Sequence, residues 1–599
     1  MVGNPPYVRI QNLPDSQKEM MDQLYDSTTG NYDIYCPFYE RGLAWLREDS
    51  GKLGFITPNQ FMVTDYGEGL RKVLLDEARI EEVYDFRDSG VFEDATNYPA
   101  ILILNDEPNK ASREDNEIRC VRVKADTDED RDRELDTAII ESVRYHRSDP
   151  GYSDEFIDVF NFPQNRLSSG DYWALMPPEE LQVFEKLEAE QDANIGEVTD
   201  AVFQGIRTSA NNIYVVDVLD ADRVESDDRG GVVTVVPTGE SKEYEIETDL
   251  LRPFLQGNDV KRWRGAWSGL HVIYPYHVET TDSGEKEATL YSKEEMKTEV
   301  TQSWKYFKEH ENELRARERG NWENSDRWWE FGRSQNLEKF ETPKTIQAEI
   351  ADEATFMLDE IGTWYFTTAY GVTFTKSNQQ STEILSCQLN SSALDFYLKH
   401  IATIKAGGYY SYRTQYVEKL PCVTEDSAGV FNRIRDRAGD IVDTIDLNSK
   451  TDRFPEAYLG DYNGELDYIT YEWQTRRYPV SAEVQGDVDG NFTVQAGRSD
   501  TINNAAMYSD DREARKRRAE YVHAAVDGRN VKSGEEMTIP IPRSDEGVEK
   551  LLDRLEADRE EVRQTNIEDL EADIDDSVFD LFDLTDDERD VVEDYLEVF

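Results

Sequence analysis

Between residues 53 and 104 the chain repeats one pattern: a short, almost wholly apolar run, a stretch with apolar residues at helical spacing, then apolar runs again. Leu53-Gly54-Phe55-Ile56-Thr57-Pro58 reads as a buried strand stopped by proline. Residues 70–75 read as a helix, 80–86 as a strand, and Ala100-Ile101-Leu102-Ile103-Leu104 as another strand. Strands apolar on both faces need helices to cover them, which restricts this part of the chain to the α/β class. Upstream, residues 17–30 read as a short helix and loop. Asp33-Ile34-Tyr35 opens a helix whose Phe38, Leu43, Ala44 and Leu46 fall at helical spacing, with Gly51 as its stop.

Ahead of this pattern stands Asn4-Pro5-Pro6-Tyr7. The tetrapeptide offers an amide oxygen, a backbone carbonyl held by two rigid prolines, and an aromatic face. That set suits the gripping of an extruded nucleobase by its exocyclic amine. An adenine ring withdraws the amine lone pair, so the nitrogen is a poor nucleophile. Acceptors at Asn4 and Pro5 stabilise the positive charge that grows on it during methyl transfer, and Tyr7 supplies a stacking face. The plainer reading is a turn, for which Asn and Pro are ordinary residues.

Charge bears on the choice of partner. The chain has 126 Asp and Glu against 66 Lys and Arg, a net charge of −60. A nucleic-acid protein ordinarily carries a basic patch. Here the acid is spread through every segment, the pattern of a protein from a high-salt cytoplasm, where net charge maintains solubility. At ~1 M salt the Debye length is only ~3 Å, so repulsion from DNA is screened. The same salt removes most of the counterion-release gain from phosphate contacts and shifts the weight to base-edge and stacking contacts. No run of ~18 apolar residues offers a membrane span, and no charged apolar leader opens the chain, so a cytoplasmic protein is expected. Cys36, Cys120, Cys387 and Cys422 are far apart, and the histidines, His271 and His277 included, show no ligand spacing, so no metal site is expected.

Residues 3–104 resemble the catalytic half of the gamma-class adenine-amine DNA methyltransferases, the class of TaqI methylase and of the single-chain type IIG restriction-modification enzymes. The matching pieces are Asn4-Pro5-Pro6-Tyr7, Tyr32-Asp33-Ile34-Tyr35 with Phe38, Gly54-Phe55-Ile56-Thr57-Pro58, Leu70-Arg71, and Phe92 ahead of a strand. The resemblance implies that Asn4, Pro5, Pro6 and Tyr7 hold the target adenine. It implies that Phe92 stacks on the other face of the base, and that Phe38 lies near the adenine ring of S-adenosylmethionine. In that class a Gly-rich strand-loop-helix and an acidic ribose-binding residue precede the Pro-Pro motif. Only three residues precede Asn4 here, and Gly407-Gly408 is followed by tyrosines rather than a helix start. The sheet is therefore expected to be partial. The chain alone is expected to bind S-adenosylmethionine poorly, with a separate cofactor-binding half or restriction subunit as a possible partner.

A second resemblance runs from Val202-Phe203-Gln204-Gly205-Ile206-Arg207-Thr208 to Leu420-Pro421. Its pieces include 251–263, 271–276, Leu314-Arg315-Ala316-Arg317, Trp328-Trp329, Pro343-Lys344-Thr345-Ile346, Asp359, Leu389-Asn390-Ser391 and 405–416. Their order resembles the TaqI-like specificity domain, which implies duplex DNA as partner. Lys405, Gly407, Gly408, Tyr409, Tyr410, Tyr412 and Arg413 combine a flexible backbone, rings and cations, as nucleic-acid contact requires. Lys261, Arg262 and Arg264 form a second cationic cluster. The plainer alternative is that the tyrosines are half-buried strand residues and the cations a solvated rim. Pro421-Cys422 resembles the nucleophile of cytosine-ring methylases, but an amine target needs no covalent intermediate.

Further on, 430–445 reads as a helix, and 489–491 as a hairpin turn. Arg512, Arg515, Lys516, Arg517 and Arg518 form a compact basic run that either touches phosphate or balances local acid. Residues 546–571 read as one charged helix, and Thr585 with Glu588 as a capping box.

The expected organisation is a catalytic half-domain over 1–107, an acidic linker over 108–158, a specificity domain over 159–425 and a mixed, largely helical region over 426–599. The fold class is a partial Rossmann-like methyltransferase sheet, then an α+β specificity domain, then helices. The expected function is methylation of a flipped adenine by S-adenosylmethionine within a restriction-modification or phage-defence system. The alternatives are a non-catalytic DNA-recognition subunit or a truncated remnant, and a cytosine-amine target.

Overall fold

The computed structural model describes residues 1–599 except 48–50, 88–97, 125–132, 220–230, 282, 283, 285, 375–381, 406, 426–428, 461, 475–478, 498 and 532. The chain forms two compact units, one of residues 1–435 with 574–599 and one of residues 436–573.

The first unit opens with a seven-stranded sheet: β1 (Val2–Gly3), β2 (Lys52–Pro58), β3 (Ala78–Asp85), β4 (Pro99–Asp106), β5 (Glu117–Val123), β6 (Tyr152–Ser153) and β7 (Ile157–Pro163). Their order is β1-β2-β4-β3-β5-β7-β6. β1 runs parallel to β2, with Val2 beside Gly54 and Gly3 beside Phe55. β2 and β4 are antiparallel, and β3 and β5 are parallel. β2 is buried along almost its whole length, as an apolar run covered on both faces must be.

Helices α1 (Asp15–Leu24), α2 (Tyr35–Leu43) and α3 (Glu68–Glu77) accompany this sheet. α2 approaches closely: a Cβ on Gly42 would stand 3.0 Å from Leu53. Tyr35, Tyr39, Leu53, Phe61, Leu70, Leu74 and Leu102 share the core. The Leu70-Arg71 pair has a structural explanation. Arg71 is buried, and its Nη1 donates to the carbonyls of Phe61 (2.7 Å) and Thr64 (2.8 Å), fixing the loop after β2.

The acidic linker expected over 108–158 is not a linker. β5, β6 and the start of β7 lie inside it and extend the sheet. Ile118, Cys120, Val121 and Val123 are buried in β5, but interleaved Arg119 and Arg122 disguise the run as solvated chain.

From Thr199 onward the unit is α+β. A six-stranded sheet carries Val215–Val218, Val232–Pro237, Tyr244–Glu247, Leu251–Leu255, Leu270–Ile273 and Tyr365–Phe366. A four-stranded sheet holds Thr199–Gln204, Lys344–Ala348, Met357–Asp359 and Ala369–Phe374. Two of the specificity-domain pieces are buried polar anchors. Lys344 and Asp359 pair at 2.5 Å, and the Asp359 carboxylate also accepts the N–H groups of Gly362, Thr363 and Trp364. Arg317 donates to the carbonyls of Thr208, Leu314, Trp328 and Glu330. These cations serve the backbone and are not available to DNA.

The second unit is mixed, with helices and the expected hairpin, and it carries further strands. Leu466–Glu472 pairs antiparallel with Glu536–Pro542, and a three-stranded sheet contains Ala482–Gly486, Phe492–Ala496 and Asp500–Ile502. Gly490, with φ +78°, turns the hairpin between two of these strands. The charged segment over 546–571 is broken: one helix covers Asp545–Gln564 and another begins at Ile567. The basic run sits on the helix Arg512–Val526 and is spent internally. Arg518 pairs with Asp545, Arg517 with Asp553 and Glu556, and Arg515 donates to the Gly490 carbonyl. It balances local acid.

Residues 574–599 return to the first unit, and Thr585 and Glu588 form the capping box of the helix Asp586–Val598. Among the described residues no helix is long and apolar enough to cross a membrane.

Candidate active site

Parallel pairing of Val2 and Gly3 with β2 delivers Asn4 to the end of an edge strand. Glycine is required before the turn: a Cβ at Gly3 would stand 2.9 Å from the Phe55 ring. Pro5 is buried, while Asn4 and Pro6 are exposed. The Asn4 side chain has no hydrogen-bond partner among the described residues. The Tyr7 hydroxyl donates to the Ile56 carbonyl at 3.0 Å, tying the turn to β2, and the ring meets Tyr35 edge-on at 6.4 Å. Burial raises the Tyr7 pKa, so the phenol stays neutral.

The chain after the turn pairs with the entry to α2. Ile34 N–H donates to the Val8 carbonyl (2.9 Å), and Ile10 N–H to that of Tyr32 (3.0 Å). This places Phe38, 43% exposed, on the groove that holds the turn. The groove has a volume of about 570 Å³, and Asn4, Pro5, Pro6, Phe38, Arg41 and Trp45 are among its lining residues. Four of the expected site residues, Asn4, Pro5, Pro6 and Phe38, therefore share one open groove. Phe92 lies outside the described residues.

The groove's chemistry fits the adenine end of S-adenosylmethionine. It offers aromatic and proline surface, as a flat heterocycle requires. Arg41 is the one charged side chain lining it among the described residues, and no carboxylate faces it to take a ribose.

The residues expected to meet DNA separate into distinct environments. Lys261 is exposed. Arg262 donates to the Ala354 carbonyl and to Glu353 (both 3.1 Å), so it braces a loop. Tyr409 is 41% exposed. Tyr410 is a correction: it is 2% exposed, and its hydroxyl accepts from Arg87 Nη2 at 2.9 Å. Alternation along the strand Tyr409–Ser411 sends neighbouring tyrosines to opposite faces, and Tyr410 packs inside the protein. Tyr412 is buried as well, donating to Asp395 at 2.7 Å.

Lys405 is half-buried, and burial with the like charges of Arg413 and Arg9 holds its pKa down, against the pull of Glu349. The hairpin that carries Lys405 thus lies within electrostatic reach of Arg9, two residues beyond Tyr7. Arg413 donates from Nε (3.1 Å) and Nη2 (2.8 Å) to Glu349, and Arg207 from Nη2 (2.8 Å) to the same carboxylate. Burial works against the Arg413 charge, but Glu349 outweighs it and raises the pKa. Arg9, Arg207 and Glu349 were not singled out from the sequence. Arg207 stands inside a quoted motif, but nothing in the sequence marks Glu349. Cys422 is buried, its Sγ is 3.2 Å from the Ala193 carbonyl, and burial pushes its pKa up to about 12. A thiol in that state is no nucleophile.

Two family models match the chain: residues 1–92 match the Eco57I restriction-modification methylase, and residues 252–422 match the TaqI-like C-terminal specificity domain. The chain is homologous to type II restriction-modification methyltransferases. It is 24% identical over 422 residues to the type II methyltransferase M.BstVI of Geobacillus stearothermophilus, covering 70% of this chain and 66% of that protein. It is 23% identical over 444 residues to the type II restriction enzyme and methyltransferase RM.Eco57I of Escherichia coli, covering 71% of this chain and 40% of that protein. A shorter stretch of 114 residues is 36% identical to the type II methyltransferase M.PaeR7I of Pseudomonas aeruginosa, 19% of this chain and 20% of that one. The chain thus spans less than two thirds of the length of these relatives. Among solved structures, the type IIL restriction-modification enzyme MmeI in complex with DNA matches with a TM-score of 0.44 and 9% identity, covering 74% of this chain and 49% of that chain.

Proposed function

We propose that this chain supplies the target-base pocket and the sequence-reading surface of an adenine-specific DNA methyltransferase of a restriction-modification system. The observation that carries the reading is the Asn4–Tyr7 turn, with an unpartnered Asn4 amide, on the groove that Phe38 also lines. The Asn4 amide oxygen and the Pro5 carbonyl each accept one hydrogen of the adenine amine. These acceptors stabilise the positive charge that develops on the nitrogen, the point at which preorganised dipoles have most effect. The Tyr7 ring stacks on the flipped base, held by its bond to Ile56. Phe38 and the groove around it receive the adenine end of S-adenosylmethionine, which when bound supplies the methyl group. Lys405, Tyr409 and Arg413 face duplex DNA.

Methylation of duplex DNA with labelled S-adenosylmethionine, in ~2 M salt to screen the acidic surface, tests the reading. The chain is assayed alone and with a cofactor-binding half supplied, and the product nucleosides are identified by mass spectrometry. The expected product is N6-methyladenine, formed about 10²–10³ times more slowly by Asn4→Ala. Methylated cytosine would overturn the adenine assignment. Tight sequence-selective binding without any methylation would favour a recognition subunit.

A further inference from the structure

Three side chains far apart in sequence meet on the recognition surface. The strand Ile350–Ala351 pairs with Tyr409–Ser411, and Tyr412 N–H donates to the Glu349 carbonyl, which sets Arg413 beside Glu349. The strand Thr199–Gln204 pairs with Ala369–Phe374, and Glu349 N–H donates to the Thr368 carbonyl, which brings Arg207 to the other side. The Glu349 side chain is only 12% exposed, while those of Arg207 and Arg413 are 37% and 48% exposed. Among the described residues Nη1 of Arg413, and Nε and Nη1 of Arg207, have no protein acceptor.

We infer that Arg207 and Arg413 are base-reading arginines for guanine, held in register by Glu349, and that the recognition sequence contains guanine where they reach it. The inference rests on the DNA-recognition reading above.

The electrostatics separate base from backbone. A phosphate approaching either guanidinium also approaches Glu349, and like charges at such distances repel. The Hoogsteen edge of guanine offers O6 and N7, two neutral acceptors spaced to match the guanidinium fork, and meets no such penalty. A carboxylate behind each fork also removes much of the rotamer freedom that a long side chain would lose on binding. The strongly acidic chain points the same way, because contacts to base edges lose less in high salt than phosphate contacts do. Lys405 is the internal contrast. Among the described residues no carboxylate forms an ion pair with it; Glu349 acts on it only at longer range, and the like charges of Arg413 and Arg9 beside it suit a phosphate.

The test begins with selection of this chain on duplex DNA containing a randomised segment. The enriched sequence is then measured by fluorescence anisotropy with 7-deazaguanine replacing each guanine in turn, which deletes the N7 acceptor and needs no protein variant. Arg207 and Arg413 predict at least one position where the replacement weakens binding roughly 5- to 100-fold. Arg413→Ala or Arg207→Ala makes its own position indifferent to the replacement. Lys405→Ala weakens all sequences equally and lowers the salt slope by about one. A selected sequence indifferent to 7-deazaguanine throughout, or arginine variants that weaken all sequences equally, would overturn the inference and leave the DNA-recognition reading standing. No sequence selection at all would overturn both.

Discussion

Two arginine clusters in the first unit use the same chemistry to opposite ends. Arg122 on β5 is 8% exposed and carries two carboxylates, Asp158 at 2.8 Å and Glu180 at 2.6 Å. His400 lies on the same Glu180 at 2.9 Å, and the Phe599 ring covers both Arg122 (4.7 Å) and Arg87 (4.1 Å). Lys124 also pairs with Asp158 at 2.9 Å, so two cations balance two anions, with an aromatic roof over Arg122. At Glu349 the anions are one short: two half-exposed cations share one carboxylate. The first arrangement is closed and joins the sheet to the helices 178–190, 392–401 and 586–598. The second leaves donors pointing outward. Exposure and the ratio of cations to anions, rather than residue type, separate the joint from the proposed reading surface.

The contrast is sharpest in stability. Arg122→Ala strips Glu180 of its guanidinium, leaving it only His400, and leaves Asp158 to Lys124; it is expected to cost about 3–5 kcal/mol in chemical unfolding. A loss below about 1 kcal/mol would erase the distinction between the clusters. Asn4→Ala is expected to lower kcat for methyl transfer by about 10²–10³ in the cofactor-complete enzyme, with DNA affinity unchanged by anisotropy.

Acid tests the joint from another side. Burial opposes the charge of Glu180, but Arg122 and His400 outweigh it and hold its carboxyl down to about 2, against 4.5 for a free glutamate. Glu588, bonded to Lys186 and to its own capping residue Thr585, is also lowered to about 2. Groups with depressed pKa values contribute stability that is complete above the unfolded value. Stability should therefore hold down to about pH 4.5 and fall as the pH drops toward 2. Glu180→Gln should flatten that decline, and a stability independent of pH across this window would break the account. The smallest effects fall on the reading surface and its neighbour. Arg413→Ala should change stability by less than about 1 kcal/mol while altering sequence preference. Tyr410→Phe should cost about 0.5–1.5 kcal/mol through the lost Arg87 bond and leave DNA affinity unchanged. Weakened DNA binding in Tyr410→Phe would return that residue to the DNA face.

Much of the first sheet was legible because its strands are unbroken apolar runs. β2, β3 and β4 fall within two residues of where their sequences place them; helical spacing placed Phe38 only on a helix, and the tertiary structure brings it to the Asn4 groove. β5 was not legible, because Arg119 and Arg122 interrupt its apolar residues. Arg122 is tolerated there only because Asp158 and Glu180 arrive from elsewhere in the chain. In the second unit the hairpin turn at 489–491 was legible, but the strands were not, because they are half-exposed and their polar faces hide the period. Tyr409 and Tyr410 could not be told apart by composition, since only the strand's orientation decides which ring faces inward.

By itself the sequence determined the α/β start, the turn at Asn4–Tyr7, the order of the specificity-domain pieces and the acidic background. These are written in local runs and short spacings. Only the tertiary structure decided which charges are spent and which remain available. Arg71, Arg317, Lys344 and Arg518 are consumed by backbone carbonyls or buried carboxylates. Among the described residues Arg207 and Arg413 keep donors free, because strand pairing brings a single glutamate, 142 and 64 residues away, to serve both. Hydrogen bonds saturate and act only at contact distance, so no local pattern reveals where a distant partner will stand.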